Sequence, residues 1–204
     1  MISSVVERFV HIEDVGGSNP SSPTTPFLRD LPELLVLRHG ETAWNRAGRL
    51  QGSLDSALTP RGRVQAARQG AILRARGWDL RAVVSSPQGR AVATLGLAGL
   101  FGRTDARLRE IGLGVWEGAA LDVIDPAPGL AWKFEAPGGE GRSALVARVD
   151  AFLADLHRPA IVVTHGVTGL VLRARATGRT DWEAIEDRQG VVYRIARGRE
   201  TVEG

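Results

Sequence analysis

Two short segments deliver histidine to the end of an apolar run. In LLVLRHGETAWN, Leu34 to Asn45, four apolar residues lead into Arg38, His39 and Gly40. In IVVTHG, Ile161 to Gly166, an apolar run and a threonine lead into His165 and Gly166. Apolar runs of this length, bounded by a glycine-bearing polar loop, read as buried strands. Ligands of open α/β sheets lie beyond the carboxyl ends of parallel strands, so two imidazoles arriving there converge on one pocket. Gly40 lets a backbone or ligand come close. A neutral imidazole offers a nucleophilic or basic nitrogen near neutral pH. Beside it, Arg38 stays charged and pairs bidentately with phosphate.

The elements that must position these groups alternate along the chain. Thr59 before Pro60 caps a helix with apolar Val64, Ala67, Ala71 and Ile72 on one side, ending near Arg76-Gly77. Leu80 to Val84 reads as a strand, followed by Ser85-Ser86-Pro87 and a helix to about Gly99. Arg107 to Gly118 is short and irregular, and residues 119–141, rich in Pro and Gly, read as a lid. Ser143 is expected to cap a helix carrying Leu145, Val146, Val149, Phe152 and Leu153 at helical spacing. Ile161 to Thr164 is a third strand with a helix to about Thr177, and Val191 to Ile195 the last strand. The alternation predicts an α/β three-layer sandwich, a mainly parallel central sheet with helices on both faces.

Composition bounds the function. At 204 residues, 43% hydrophobic and 24% charged, one soluble domain with its own core is expected. Without cysteine there is no disulfide framework, thiolate metal site or cysteine nucleophile. No apolar run reaches membrane-spanning length, and the first residues, MISSVVERFV, lack the core of a signal peptide. The expectation is a cytoplasmic protein that binds neither membrane nor nucleic acid. Of the 26 basic residues 25 are arginine, and Lys133 is the only lysine. These arginines are scattered among 23 acids and form no basic stripe.

Residues 1–30 differ from the rest. Ser18 to Pro26 is rich in Pro, Ser and Thr and reads as a disordered leader. Gly17 to Pro20 back-translates readily to the conserved arm of a transfer RNA gene read in frame. The expectation is therefore a misassigned start, the native protein beginning near Leu31. N-terminal mass spectrometry finding Met1 would remove that idea. The domain then spans 31–204, with the lid an excursion within it.

The run Arg38-His39-Gly40-Glu41-Thr42 resembles the signature of the histidine phosphatase superfamily, also called phosphoglycerate-mutase-like. The resemblance extends through Asn45, Arg49-Leu50-Gln51-Gly52, Leu58-Thr59 with Gly62 and Gln65-Ala66, and Ser85-Ser86-Pro87 with Arg90-Ala91 and Thr94. Leu108-Arg109-Glu110, Gly114-Val115-Trp116-Glu117-Gly118 and Val163-Thr164-His165-Gly166 complete it. It implies that His39 attacks phosphorus in line and becomes phosphohistidine, its other nitrogen held by an acceptor such as a backbone carbonyl. Arg38 and Arg90 would hold the phosphoryl group, and His165 would contact its oxygens where charge develops. Glu110 would protonate the leaving alcohol, with Glu117 as its rival; burial or the phosphate's charge would raise its pKa. Asn45, Arg49, Gln51, Gly52, Ser85 and Gly166 would shape the phosphate and substrate rim. Glu41 reads as an orienting helper and Thr164 as support for His165.

No metal or other cofactor is implied, because two histidines without clustered carboxylates make neither a zinc nor a two-metal pattern. His157 ends a helix, and His11 lies in the leader. The expected partner is a small phosphorylated metabolite. Relatives usually follow Pro137-Gly138-Gly139-Glu140 with Ser or Thr at a position beside the substrate; here it is Gly141. Trp132 and Phe134 are the lid's aromatics, equally suited to packing on substrate or anchoring the loop. Only about 55 residues separate Glu110 from His165, a short lid that admits water and favours hydrolysis over mutase chemistry. The expected activity is phosphomonoester hydrolysis. Its alternatives are a phosphoglycerate mutase, a bisphosphatase or ribazole-phosphate phosphatase with a different pocket, or a catalytically silent phospho-ligand-binding relative.

Overall fold

The computed structural model describes residues 31–79, 81–124, 129–182 and 185–204. The expected leader, with His11, and Leu80 at the start of the second predicted strand lie outside the described residues. Six strands, β1 (Leu34–Arg38), β2 (Ala82–Ser85), β3 (Arg103–Thr104), β4 (Ala160–Thr164), β5 (Val192–Ala196) and β6 (Arg199–Glu203), form one sheet in the order β3-β2-β4-β1-β5-β6. The first four strands in that order are parallel, and β5 and β6 run antiparallel to their neighbours.

Both faces of the central strands are covered, which is why β1 and β4 read as unbroken apolar runs. Leu34 and Val36 point to one face, with Ala160 and Val162, against Leu145, Val149 and Phe152 of α5 (Gly141–Ala154) and Val171 of α6 (Gly166–Thr177). Leu35 and Leu37 point to the other, with Ile161 and Val163, against Leu73 of α2 (Pro60–Ala75) and Ala91 of α3 (Gly89–Leu97). The expected three-layer α/β arrangement is the observed one. Short helices α1 (Ala43–Arg46) and α4 (Leu121–Ile124) lie in the loops beyond the sheet. No helix among the described residues is long and apolar enough to cross a membrane.

Three local expectations need correction. The buried stripe of α2 is Gly62, Ala66, Gln69, Gly70 and Leu73, while Val64 is 68% exposed. Two glycines set that phase. A Cβ on Gly62 would lie 2.0 Å from Glu41 O, and one on Gly70 would lie 2.0 Å from Ala98 O, so backbone contact displaces the larger apolar side chains. Helix α5 starts at Gly141, two residues before the expected Ser143 cap. The last strand is β6, not β5; Arg197 and Gly198, both at positive φ, turn the chain into it. Its polar sequence RETVE suits an exposed edge.

Candidate active site

Strand register builds the site. Arg38 of β1 pairs with Thr164 of β4, and His39 N donates to Thr164 O at 3.0 Å. The residues just past the two strand ends, His39 and His165, therefore stand side by side, with ring centroids 5.2 Å apart. Beyond β2, Ser86 N donates to Val163 O at 2.8 Å, bringing the next loop to the same edge.

The hydrogen bonds of each ring assign its tautomer. His39 Nδ1 lies 2.8 Å from Gly40 O, a carbonyl that can only accept, so Nδ1 carries the proton. Nε2 is left as a lone-pair nitrogen with no hydrogen-bond partner among the described residues, and His39 lines the cavity at this edge. Burial first, then the neighbouring His165, Arg38 and Arg90, holds the His39 pKa well below the ordinary histidine value. His165 is also kept neutral, by burial and then by Arg90. Its Nδ1 accepts from Arg90 Nε at 3.1 Å, so its Nε2 carries the proton, donated to Ser86 Oγ at 2.7 Å.

Arg90 is almost wholly buried and fixed at every nitrogen. Nη1 donates to Leu54 O at 2.6 Å and Asp55 Oδ1 at 2.7 Å, and Nη2 to Gly52 O at 2.9 Å. Asp55 also accepts from Gly89 N and Arg90 N, capping α3 from a distant loop. Arg38 donates to Asp187 Oδ2 at 2.6 Å. Behind Asp187 lies the buried Arg173, 3.9 Å away, which pairs with Glu200 at 2.7 Å. Both phosphate-seeking arginines are thus aimed by carboxylates.

Glu110 caps α6. Its Oε2 accepts from Val167 N at 3.2 Å, and its Oε1 from Thr168 N at 3.0 Å and Ile111 N at 3.1 Å. Burial pushes its pKa up, but these amides together with Lys133 and Arg90 outweigh it and hold the carboxyl below its ordinary value. The expectation that Glu110 stands partly protonated on account of burial is corrected: amide donors at a helix N-terminus favour the ionised form. Glu117 does not line the cavity; it accepts from the Ser53 hydroxyl, Ser53 N and Leu113 N.

The cavity, about 400 Å³, is lined by Arg38, His39, Asn45, Arg49, Gln51, Gly52, Arg90, Glu110 and Gly166 among the residues singled out in the sequence. Two do not line it. The Ser85 hydroxyl is buried and donates to Ser86 O at 2.9 Å. His165 is fully buried behind His39 with both nitrogens engaged, so it meets the cavity only through Arg90 and the His39 ring. Asn45 forms a capping box with Thr42. Arg49 donates to Gly118 O and lies over the Trp44 ring at the rim. Gly52 contributes backbone, and a Cβ there would lie 2.2 Å from Glu117 Oε1. A Cβ on Gly166 would sit 3.4 to 3.5 Å from Asp187 Oδ2, Arg38 Cζ and Glu110 Oε2, at the centre of the charged groups.

Glu41 accepts from Thr59 Oγ1 at 2.6 Å, and Thr164 Oγ1 donates to Leu108 O at 2.9 Å; both brace loops. Trp132 packs on Trp116 and Phe134 on Trp182, so the lid's aromatics are anchors. Residues 137–141 do not line the cavity; there Glu140 pairs with Arg148. Among the described residues no cluster of three His, Cys, Asp or Glu side chains could hold a metal.

Sequence reasoning missed Lys133 and Asp187, which line the cavity, and three side chains that brace it. Gln88 donates to Gly52 O and accepts from Glu110 N, Gln189 donates to His39 O, and Asp55 holds Arg90. The only signal was Lys133 being the sole lysine.

Comparison with known proteins agrees with this geometry. The profile of the histidine phosphatase superfamily (branch 1) matches residues 34–199. The chain belongs to this superfamily. It is 38% identical over 157 residues to a glucosyl-3-phosphoglycerate phosphatase of Mycobacterium tuberculosis, covering 65% of this chain and 70% of that protein. It is 32% identical over 169 residues to a probable phosphoglycerate mutase, GpmB, of Salmonella choleraesuis, covering 74% and 77%. The solved structure of the open reading frame Rv3214 from Mycobacterium tuberculosis superposes with a TM-score of 0.74 at 28% identity, covering 85% and 96%. The family, the fold and the phosphatase class read from the sequence all hold.

Proposed function

We propose that this phosphatase hydrolyses a small phosphomonoester in two steps through a phosphohistidine on His39. The observation that carries the reading is the His39 ring itself: neutral, with Nδ1–H tied to Gly40 O and Nε2 unpaired at a cavity that also holds two arginines and a carboxylate. Nε2 attacks phosphorus, the ester P–O bond breaks, and the leaving oxygen takes a proton from Glu110. Water then attacks phosphorus, Glu110 accepts the water's proton, and inorganic phosphate leaves with the His39 lone pair restored.

Glu110 must enter this cycle protonated, and the bound phosphoryl group supplies the reason. Its negative charge beside the carboxylate raises the Glu110 pKa, and a monoanionic phosphoryl group brings the proton with it. Arg38 and Arg90 neutralise the equatorial oxygens. His165 acts as a positioning residue, keeping Arg90 Nε and the His39 ring in place. Residues 31–204 form the catalytic unit in this reading, working in the cytoplasm without a metal.

Supporting substrates are phosphorylated sugars and glycerates, given that a similar protein is a glucosyl-3-phosphoglycerate phosphatase. The test is His39→Ala assayed for released phosphate with sugar phosphates, phosphoglycerates and an aryl phosphate. Turnover should fall by several orders of magnitude, on the scale of removing a nucleophile; hydrolysis retained in that variant contradicts the proposal. The mutase alternative, prompted by the likeness to a probable phosphoglycerate mutase, predicts phosphoryl transfer back to bound product instead of to water.

A further inference from the structure

Every arginine that lines the cavity has a protein partner. Arg38 pairs with Asp187, Arg90 with Asp55 and three further acceptors, and Arg49 with Gly118 O. Lys133 is different: among the described residues its Nζ makes no hydrogen bond or close ion pair; it lies 5.3 Å from the Trp132 ring centroid and feels the Glu110 and Asp187 carboxylates only from a distance. It is also the one lysine in a chain that otherwise uses arginine.

Its placement is built, not incidental. Lys133 sits in the short 3-10 turn Ala131–Glu135, flanked by the two aromatic anchors. Trp132 packs on Trp116 at 5.7 Å and donates from Nε1 to Gly129 O, while Phe134 meets Trp182 edge-on at 6.1 Å. With both neighbours turned to the protein body, Lys133 faces the cavity beside Leu121, Leu130 and Leu113. Burial lowers its pKa while Glu110 opposes that shift. A half-buried ammonium with no hydrogen-bond acceptor is costly to leave so, and Glu110 and Asp187 act on it without direct contact, so an anion bound directly to Nζ is the complement it still lacks.

We propose that Lys133 is a specificity-determining residue that takes a carboxylate carried by the alcohol half of the phosphomonoester. This rests on the phosphomonoesterase reading above. The phosphoryl end is already supplied with two arginines, so the ammonium reads a second group. A single positive charge matches a carboxylate. A second phosphate would bring two negative charges into a cavity that Glu110 and Asp187 already line. An ammonium is a compact charge with no fork geometry, suited to a carboxylate of variable orientation.

The experiment compares kcat/KM for 3-phosphoglycerate and glycerol 3-phosphate, which differ in a carboxylate against a hydroxymethyl group, with fructose 1,6-bisphosphate as a third arm. The unsubstituted chain should prefer 3-phosphoglycerate by at least about tenfold, the scale of a partly buried charge pair. Lys133→Gln should bring that ratio to within about twofold, through KM, whereas Lys133→Arg keeps most of the preference. An unmoved thermal midpoint for both variants ties the change to recognition. A ratio unchanged in Lys133→Gln overturns the proposal, as do equal losses on both esters or a bisphosphate that depends on Lys133 as strongly as the glycerate. Failure of the phosphatase reading looks different: the unsubstituted chain turns over none of the esters. Calorimetric binding of the same pair then tests Lys133 alone, and equal affinities overturn its role.

Discussion

The His39 and His165 rings lie 5.2 Å apart, tilted by 58°; burial keeps both neutral, and opposite arrangements of the same two nitrogens fix their tautomers. His39 donates from Nδ1 to a carbonyl, whereas His165 accepts at Nδ1 from Arg90 and donates from Nε2 to Ser86. Ser86→Ala removes that acceptor in a fully buried place. The variant should lose about 1–3 kcal/mol of stability by urea denaturation. Its turnover should fall as well, because Arg90 loses a fixed acceptor. Unchanged stability would mean the ring finds another partner.

The two neutral imidazoles make stability depend on pH. Burial holds both pKa values well below the ordinary 6.5. Between the depressed folded values and about 6.5 the unfolded chain binds two protons that the folded chain does not. Their stabilisation is complete above about pH 6.5 and is lost as pH falls below it. Well below 6.5 the slope should approach about 2.7 kcal/mol per pH unit, two protons at 1.36 each. Urea midpoints taken from neutral pH to about pH 5 measure it, and His39→Gln should roughly halve the slope. A flat profile contradicts the assignment.

Glu110 both caps α6 and, in the proposal, donates a proton, and the two duties separate by leaving group. Glu110→Gln should cost alkyl phosphates about 10²- to 10⁴-fold in turnover, while p-nitrophenyl phosphate, whose leaving group needs little protonation, loses much less. Equal losses on both would confine Glu110 to positioning. Glu110→Ala should further destabilise the fold by about 1 kcal/mol through the lost cap.

Glycines of the site divide into those the fold requires and those the substrate requires. A methyl at Gly62 would overlap Glu41 O at 2.0 Å, so Gly62→Ala should destabilise by about 3 kcal/mol. A methyl at Gly166 meets its neighbours at 3.4 Å or more. Gly166→Ala should therefore fold normally yet obstruct the space between Arg38, Asp187 and Glu110, raising KM sharply. Thermal melts beside steady-state kinetics distinguish the two.

What was legible in the sequence is what short-range chemistry writes there. Strands β1 and β4 announce themselves as apolar runs, and the His-Gly ends and Glu110 fall where local motifs place them. The side chains that aim these groups come from elsewhere: Asp55 reaches Arg90 across 35 positions, and Asp187 reaches Arg38 across 149. Gln88 and Gln189 likewise act through tertiary contact, which leaves no period or spacing. The α2 stripe was misplaced because glycine contributes nothing to an apolar count even where backbones touch. The choice between Ser85 and Ser86 is equally hidden in the sequence. Adjacent serines differ only in side-chain direction, and on a strand end that direction alternates, leaving the Ser85 hydroxyl on the Ser86 carbonyl and the Ser86 hydroxyl on His165.

The most direct test is to catch the phosphoryl group on the protein. Rapid mixing with substrate, alkaline quenching and peptide mass spectrometry should find one phosphoryl group on the peptide containing His39, on a ring nitrogen, rising and falling within a turnover. It should be stable to base, labile to acid and missing from His39→Ala. Steady hydrolysis with no phosphorylated peptide at any time, or a phosphoryl group on another residue, would contradict the account.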